Sequence, residues 1–233
     1  MATKKAEPTK DKKGTKPSKN AWLKYTEKDK KAVFAFAEGY RKFISDCKTE
    51  RECVDEVLRQ AKAEGYVDLK EAIAKNAKLK AGDKVYVNHM GKAVALFLIG
   101  EEPMENGMKL LGAHIDSPRL DLKQVPFYED TEMAMLDTHY YGGIKKYQWV
   151  TLPLALHGVV VKKDGTVVNV VIGEKDTDPV VGITDLLIHL SAKQMEKNAA
   201  KVVEGEDLNI LVGSIPLDGE EKEAVKSEVV DSR

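Results

Sequence analysis

At residues 81–84, the segment AGDK, the spacing of apolar residues changes period, and that change restricts the chain to folds combining helices with sheet. Ahead of it, Val33, Phe36, Ala37, Tyr40, Phe43 and Ile44 recur at helical spacing behind Thr26 and Asp29, a pair spaced as a capping box. A second cap, Thr49 with Glu52, opens a helix with Val54, Val57, Leu58 and Ala61 on its inner side. Gly65 is its stop. A short helix is expected around Leu69 to Ile73. After AGDK, KVYVNHMGKAVALFLIG predicts two strands joined by a tight turn near Met90-Gly91. MKLLGAHI predicts a further buried strand whose end carries His114.

Beyond Pro118 the texture is β-rich: LDLKQV, EMAMLDTHYY, TLPLALHGVVVKK and TVVNVVIG all read as strands. The last two flank Asp164-Gly165, a strong short-range hairpin signal. DPVVGITDLLIHLSAKQMEK predicts an approach loop and a helix capped near Thr184 or Asp185. LNILVGSI predicts a strand and GEEKEAVKSEVV a polar helical tail. The expected division is a basic tail over 1–20, an α/β part over 21–118 and a β-rich part with one helix over 119–233.

Composition narrows the function classes. With 233 residues, 42% of them hydrophobic, the chain can build a real core. No apolar run approaches the roughly 18–20 residues of a membrane span, so no membrane partner is expected. The first twenty residues carry seven lysines against two acidic residues and have no apolar stretch of the kind a secretory signal needs. They read as a disordered solubilising arm. Basic residues elsewhere are not interleaved with aromatics in a patch, so a nucleic-acid partner is not expected. Cys47 and Cys53 lack metal spacing and read as thiols of a reducing compartment, which makes the cytoplasm the expected location.

Of five histidines, His89 sits beside the expected hairpin turn, where solvent exposure is the natural state. His139 and His157 lie in strand-like segments without an acidic partner at a recognisable spacing and read as structural. His114 differs. At a strand end its ring shares a face with Asp116, two residues on, and a carboxylate there can take the N–H of one ring nitrogen and leave the other for a metal. A hydrogen-bonded His–Asp pair serving only the fold remains the alternative on spacing alone.

GAHIDSPRL resembles the H-x-D-S-P-x-L motif of the M18 family of zinc aminopeptidases. Two further stretches follow in order. YYGGIKKYQW resembles the family's Y-G-G-x-x-x-x-x-W, and GITDLLIHL resembles its I-P-H-L-A-I-H-L. NAWLKYTEKDKKAVFAFAEGYRKFI is similar to the opening helix of bacterial members. The resemblance covers about residues 20–233.

That resemblance implies an α/β fold: helices plus the mixed sheet of a zinc-peptidase catalytic domain, with an inserted β-rich dimerisation domain. It implies removal of N-terminal residues from peptide substrates, two zinc ions in the complete enzyme, and a homo-oligomer built from dimers, up to dodecamers. His114 would be a zinc ligand and Asp116 the carboxylate that orients it. His189 would be presented by the inserted domain to a neighbouring subunit's active site. Thr151 and Leu152 stand where the family has a charged pair, and Thr184 and Asp185 replace its Pro-His, which leaves acidic and neutral N-terminal residues equally open as substrates. The family's remaining metal ligands and its general-base glutamate come later than Arg233, so the 233 residues are expected to be an N-terminal half, inactive alone. A non-catalytic assembly module for a full-length partner, or a peptide carrier, are the competing classes.

Overall fold

The computed structural model describes residues 20–215, which fall into two compact units, one ending at Asp46 and one beginning at Cys47. The polar helix expected at GEEKEAVKSEVV lies outside the described residues, as does nearly all of the basic tail.

In the first unit, helix α1 spans Glu27–Asp46. The capping box forms: the Asp29 amide donates to Thr26 Oγ1 at 3.2 Å and the Thr26 amide to Asp29 Oδ2 at 2.8 Å. Its apolar residues do not bury within the described unit. Phe36, Tyr40 and Ile44 are all exposed.

The second unit opens with α2 (Glu50–Ala63), begun by a complete Thr49–Glu52 capping box. It ends in a Schellman turn, with the Tyr66 amide bonded to the Ala61 carbonyl, the Gly65 amide to that of Lys62, and Gly65 at φ +85°. Strand β1 (Val67–Asp68), helix α3 (Leu69–Ala74), and strands β2 (Lys84–His89) and β3 (Ala93–Leu98) follow. β1 pairs parallel to β2, and β2 antiparallel to β3 through a turn in which Met90 and Gly91 both adopt positive φ. Val54, Leu58 and Tyr86 form the core under this mixed sheet, with Tyr66, Val94 and Ile115 packed against it.

A five-stranded antiparallel sheet carries most of the rest: β4 (Arg119–Asp130), β5 (Met133–Tyr141), β6 (Pro153–Leu154), β9 (Val181–Gly182) and β10 (Ile210–Gly213), in spatial order β4-β5-β10-β9-β6. Val150, Val181, Ile183, Val203, Leu208 and Ile210 are its buried core. β7 (Leu156–Val161) and β8 (Val167–Ile172) make the expected hairpin, its turn closed by the Lys162 amide on the Thr166 carbonyl, with Gly165 at φ +84°.

Two expectations fail. Residues 109–115 are not a buried strand: they pair with no strand among the described residues, and Leu110 and Leu111 are 86% and 97% exposed. An apolar run becomes a strand only where a neighbouring backbone can complete its ladder. Residues 184–190 are not a helix either, and the short helix α4 is confined to Ala192–Met195. Asp185 does not cap. Its Oδ1 accepts from the adjacent Leu186 amide at 2.8 Å and the Gln194 side chain at 2.9 Å, whereas an N-cap must reach the amides two or three residues on. No described helix is long and apolar enough to cross a membrane.

Candidate metal-ligand site at His114 and Asp116

Ile115 anchors this site. Its side chain packs on the Val54–Leu58–Tyr86 core, and its carbonyl lies 3.7 Å from the Cys53 thiol, which donates to it. With the middle residue turned inward, His114 and Asp116 turn out together. The His114 side chain is 85% exposed, and its Nδ1 lies 3.0 Å from the Asp116 carbonyl oxygen and 3.2 Å from Asp116 Oδ1. Both neighbours are acceptors, so the proton sits on Nδ1 and donates to them. In the neutral ring Nε2 then carries an unshared pair pointing to open space, as a metal ligand needs.

The other carboxylate oxygen is occupied too. Tyr141 donates its hydroxyl to Asp116 Oδ2 at 2.8 Å. This bond, above all, holds the Asp116 carboxyl below its ordinary range; its own backbone amide and His114 add to the effect. The same bond pushes the Tyr141 phenol up. Tyr141 ends β5 directly opposite Arg119 at the start of β4, and the guanidinium lies 4.3 Å from the tyrosine ring centroid. Arg119 is tied down in turn by Asp121 at 2.7 Å and by Glu50 of α2 at 3.2 Å. Gly142, at φ +77°, places the chain beside Pro118, so the Ser-Pro and Tyr-Gly-Gly stretches meet although they are over twenty residues apart.

A catalytic zinc takes about three protein ligands. His114 supplies one of suitable chemistry and exposure, and no group of three His, Cys, Asp or Glu side chains able to hold a metal occurs among the described residues. His189 is exposed on the irregular stretch before α4, and no hydrogen bond or ion pair among those described joins it to His114 or Asp116.

Sequence reasoning missed the partners of His157. Its ring is clamped between Glu52 Oε1, 2.7 Å from Nδ1, and Glu174 Oε1, 2.9 Å from Nε2, and its side chain is 9% exposed. The expected structural role fits this clamp, but its acidic partners are 105 and 17 residues away, at no recognisable spacing, and only the fold reveals them. His89 is exposed beside its turn as expected, and His139 stacks on Tyr140 at 5.7 Å.

A family model described as Aminopeptidase I zinc metalloprotease (M18) matches residues 43–232. The chain belongs to the M18 family. This M18 chain is 63% identical over 216 residues to a probable M18 family aminopeptidase 1 of Clostridium acetobutylicum, covering 92% of itself and 46% of that relative. It is 47% identical over 208 residues to a namesake in Borrelia garinii subsp. bavariensis, covering 89% and 44%. Among solved structures, the M18 aminopeptidase of Thermotoga maritima superposes with a TM-score of 0.82 at 41% identity, over 94% of this chain and 46% of that one. Aminopeptidase I of C. acetobutylicum does so at 0.78 and 61%, over 94% and 49%. The M18 chain thus spans about half the length of the curated relatives it matches, and its mixed α/β architecture is theirs.

Proposed function

We propose that this chain contributes the His114–Asp116 portion of the active site of a zinc aminopeptidase that removes acidic or neutral N-terminal residues from peptides. The observation that carries the reading is the ring geometry: Nδ1 held by two acceptors and Nε2 free, in a chain of a zinc-peptidase family. Asp116 keeps the ring in the ligand tautomer. Ligands further to His114 would complete a site for two zinc ions. When bound, zinc polarises the scissile carbonyl and brings the pKa of its water to about 7. His189, exposed and on a segment free of regular structure, would reach a neighbouring subunit's active site and donate a hydrogen bond to the substrate or the tetrahedral oxyanion.

On this reading, residues 21–118 begin a catalytic domain and residues 119–233 form an inserted dimerisation domain of a cytoplasmic homo-oligomer. Leu110 and Leu111, nearly fully exposed just before His114, support it, because a catalytic sheet that continued in further chain would cover them. The test is peptidase activity of the natively expressed protein on N-terminal Asp, Glu and Leu p-nitroanilides, before and after chelation. Zinc-restorable hydrolysis is expected. Zinc-independent hydrolysis, or none in a zinc-loaded protein that holds the rest of the site, overturns the proposal; the 233 residues by themselves are expected to be inactive.

A further inference from the structure

We propose that Tyr141 is a positioning residue that sets the tautomer of His114 through Asp116, with Arg119 as its brace. The carboxylate of Asp116 has two oxygens and two different tasks. Oδ1 accepts a hydrogen bond from His114 Nδ1 at 3.2 Å, beside the Asp116 carbonyl at 3.0 Å, and Oδ2 accepts one from the Tyr141 hydroxyl at 2.8 Å. A half-exposed aspartate without the second bond rotates about its terminal torsion, where the wells are broad, and shares its oxygens with water. The tyrosine fixes that rotation, and with it the face of the carboxylate that meets the imidazole.

Tyr141 is itself held from outside the site. Cross-strand register puts Arg119 opposite it, the guanidinium covers its ring at 4.3 Å, and Asp121 and Glu50 hold the guanidinium at 2.7 and 3.2 Å. The path therefore runs from the first turn of α2 through Glu50, Arg119, Tyr141 and Asp116 to His114. It explains why an exposed loop histidine with no regular secondary structure of its own can still present one defined nitrogen. The consequence for metal binding rests on the proposal that His114 ligates zinc; the consequence for the ring does not.

Tyr141→Phe removes the hydroxyl and keeps the ring under Arg119. In metal-free, 15N-histidine-labelled protein at pH 8, with the His114 resonance assigned by a His114→Asn variant, the unmodified protein should show the Nδ1–H tautomer predominating. Tyr141→Phe should raise the Nε2–H form several-fold and weaken zinc binding about 3- to 10-fold, less than the 10- to 100-fold typical of a direct partner of a metal ligand. Arg119→Met should shift the tautomer the same way by less. An unchanged tautomer in Tyr141→Phe overturns the inference whatever zinc does. A shifted tautomer in a protein that never holds zinc on His114 supports the positioning role and rejects the metal proposal. Circular dichroism and melting temperature, unmoved in Tyr141→Phe, separate positioning from a folding defect.

Discussion

Two histidines in this molecule are each held by carboxylates, and the way they are held sets them apart. His114 is bonded through one nitrogen to acceptors of a single residue, with most of its side chain in water. His157 is bonded through both nitrogens, to Glu52 and Glu174, with 9% of its side chain exposed. A ring with one nitrogen spoken for leaves the other open; a ring with both spoken for is a strut. Glu52 is also the N3 residue of the α2 capping box, its Oε2 accepting the Lys48 and Thr49 amides while Oε1 takes His157. His157 therefore ties the β7–β8 hairpin to the start of α2. On the proposed reading, the number of partners is what separates a ring open to a metal from one that serves the architecture.

The sharpest way to break that contrast is to delete each ring. His114→Ala should lower zinc-dependent peptidase activity by more than about 100-fold, beyond the usual loss at a ligand's supporting residue, while shifting stability by no more than about 0.5 kcal/mol, as at other exposed positions. Equal losses of melting temperature and activity would erase the distinction. Asp116→Asn comes next, with zinc affinity expected to fall about 10- to 100-fold, measured by competition with a chromogenic chelator. His157→Leu should do the reverse: about 1–3 kcal/mol of stability lost, as for hydrogen bonds to charged groups, read from urea midpoints, with zinc affinity unchanged.

The pH dependence of that third loss sharpens the comparison further. Burial pushes the His157 imidazolium down, but the two carboxylates more than reverse this and its pKa lies above the ordinary 6.5. Burial pushes the Glu52 carboxyl up, but His157 and the Lys48 and Thr49 amides bring it below the ordinary 4.5. A raised histidine contributes stability that is full below the unfolded value of 6.5 and is lost as pH rises through the folded value. A depressed glutamate contributes above 4.5, and the contribution is lost as pH falls through its folded value. The difference between native protein and His157→Leu should thus peak between those limits and shrink on either side; a difference independent of pH removes the strut. The smallest effect is expected at Leu111→Ser in the 233-residue chain by itself, where the leucine is 97% exposed and stability should stay within about 0.5 kcal/mol. A larger loss there would mean that residues 109–113 pack against this chain itself.

Legibility in the sequence followed distance along the chain. His114 and Asp116 were found because partner and ring are two residues apart, and helix caps, the Met90-Gly91 turn and the Asp164-Gly165 hairpin are equally local. Tyr141 and Arg119 both lie within motifs visible in the sequence, yet their joint effect on Asp116 needs the β4–β5 register. His157 needed the whole fold. The two failed elements share a cause: KLLGAHI and DLLIHL are apolar enough for a strand and a helix, but apolar pattern states only what a segment would bury, and among the described residues neither finds a surface that completes it.

Crystals of the natively expressed, zinc-loaded protein, measured at the zinc absorption edge, locate the metal atom by atom. An anomalous peak about 2.0–2.1 Å from His114 Nε2, with Asp116 still accepting from Nδ1, is the expected result. Zinc bound elsewhere in an active protein, leaving His114 bare, would contradict it.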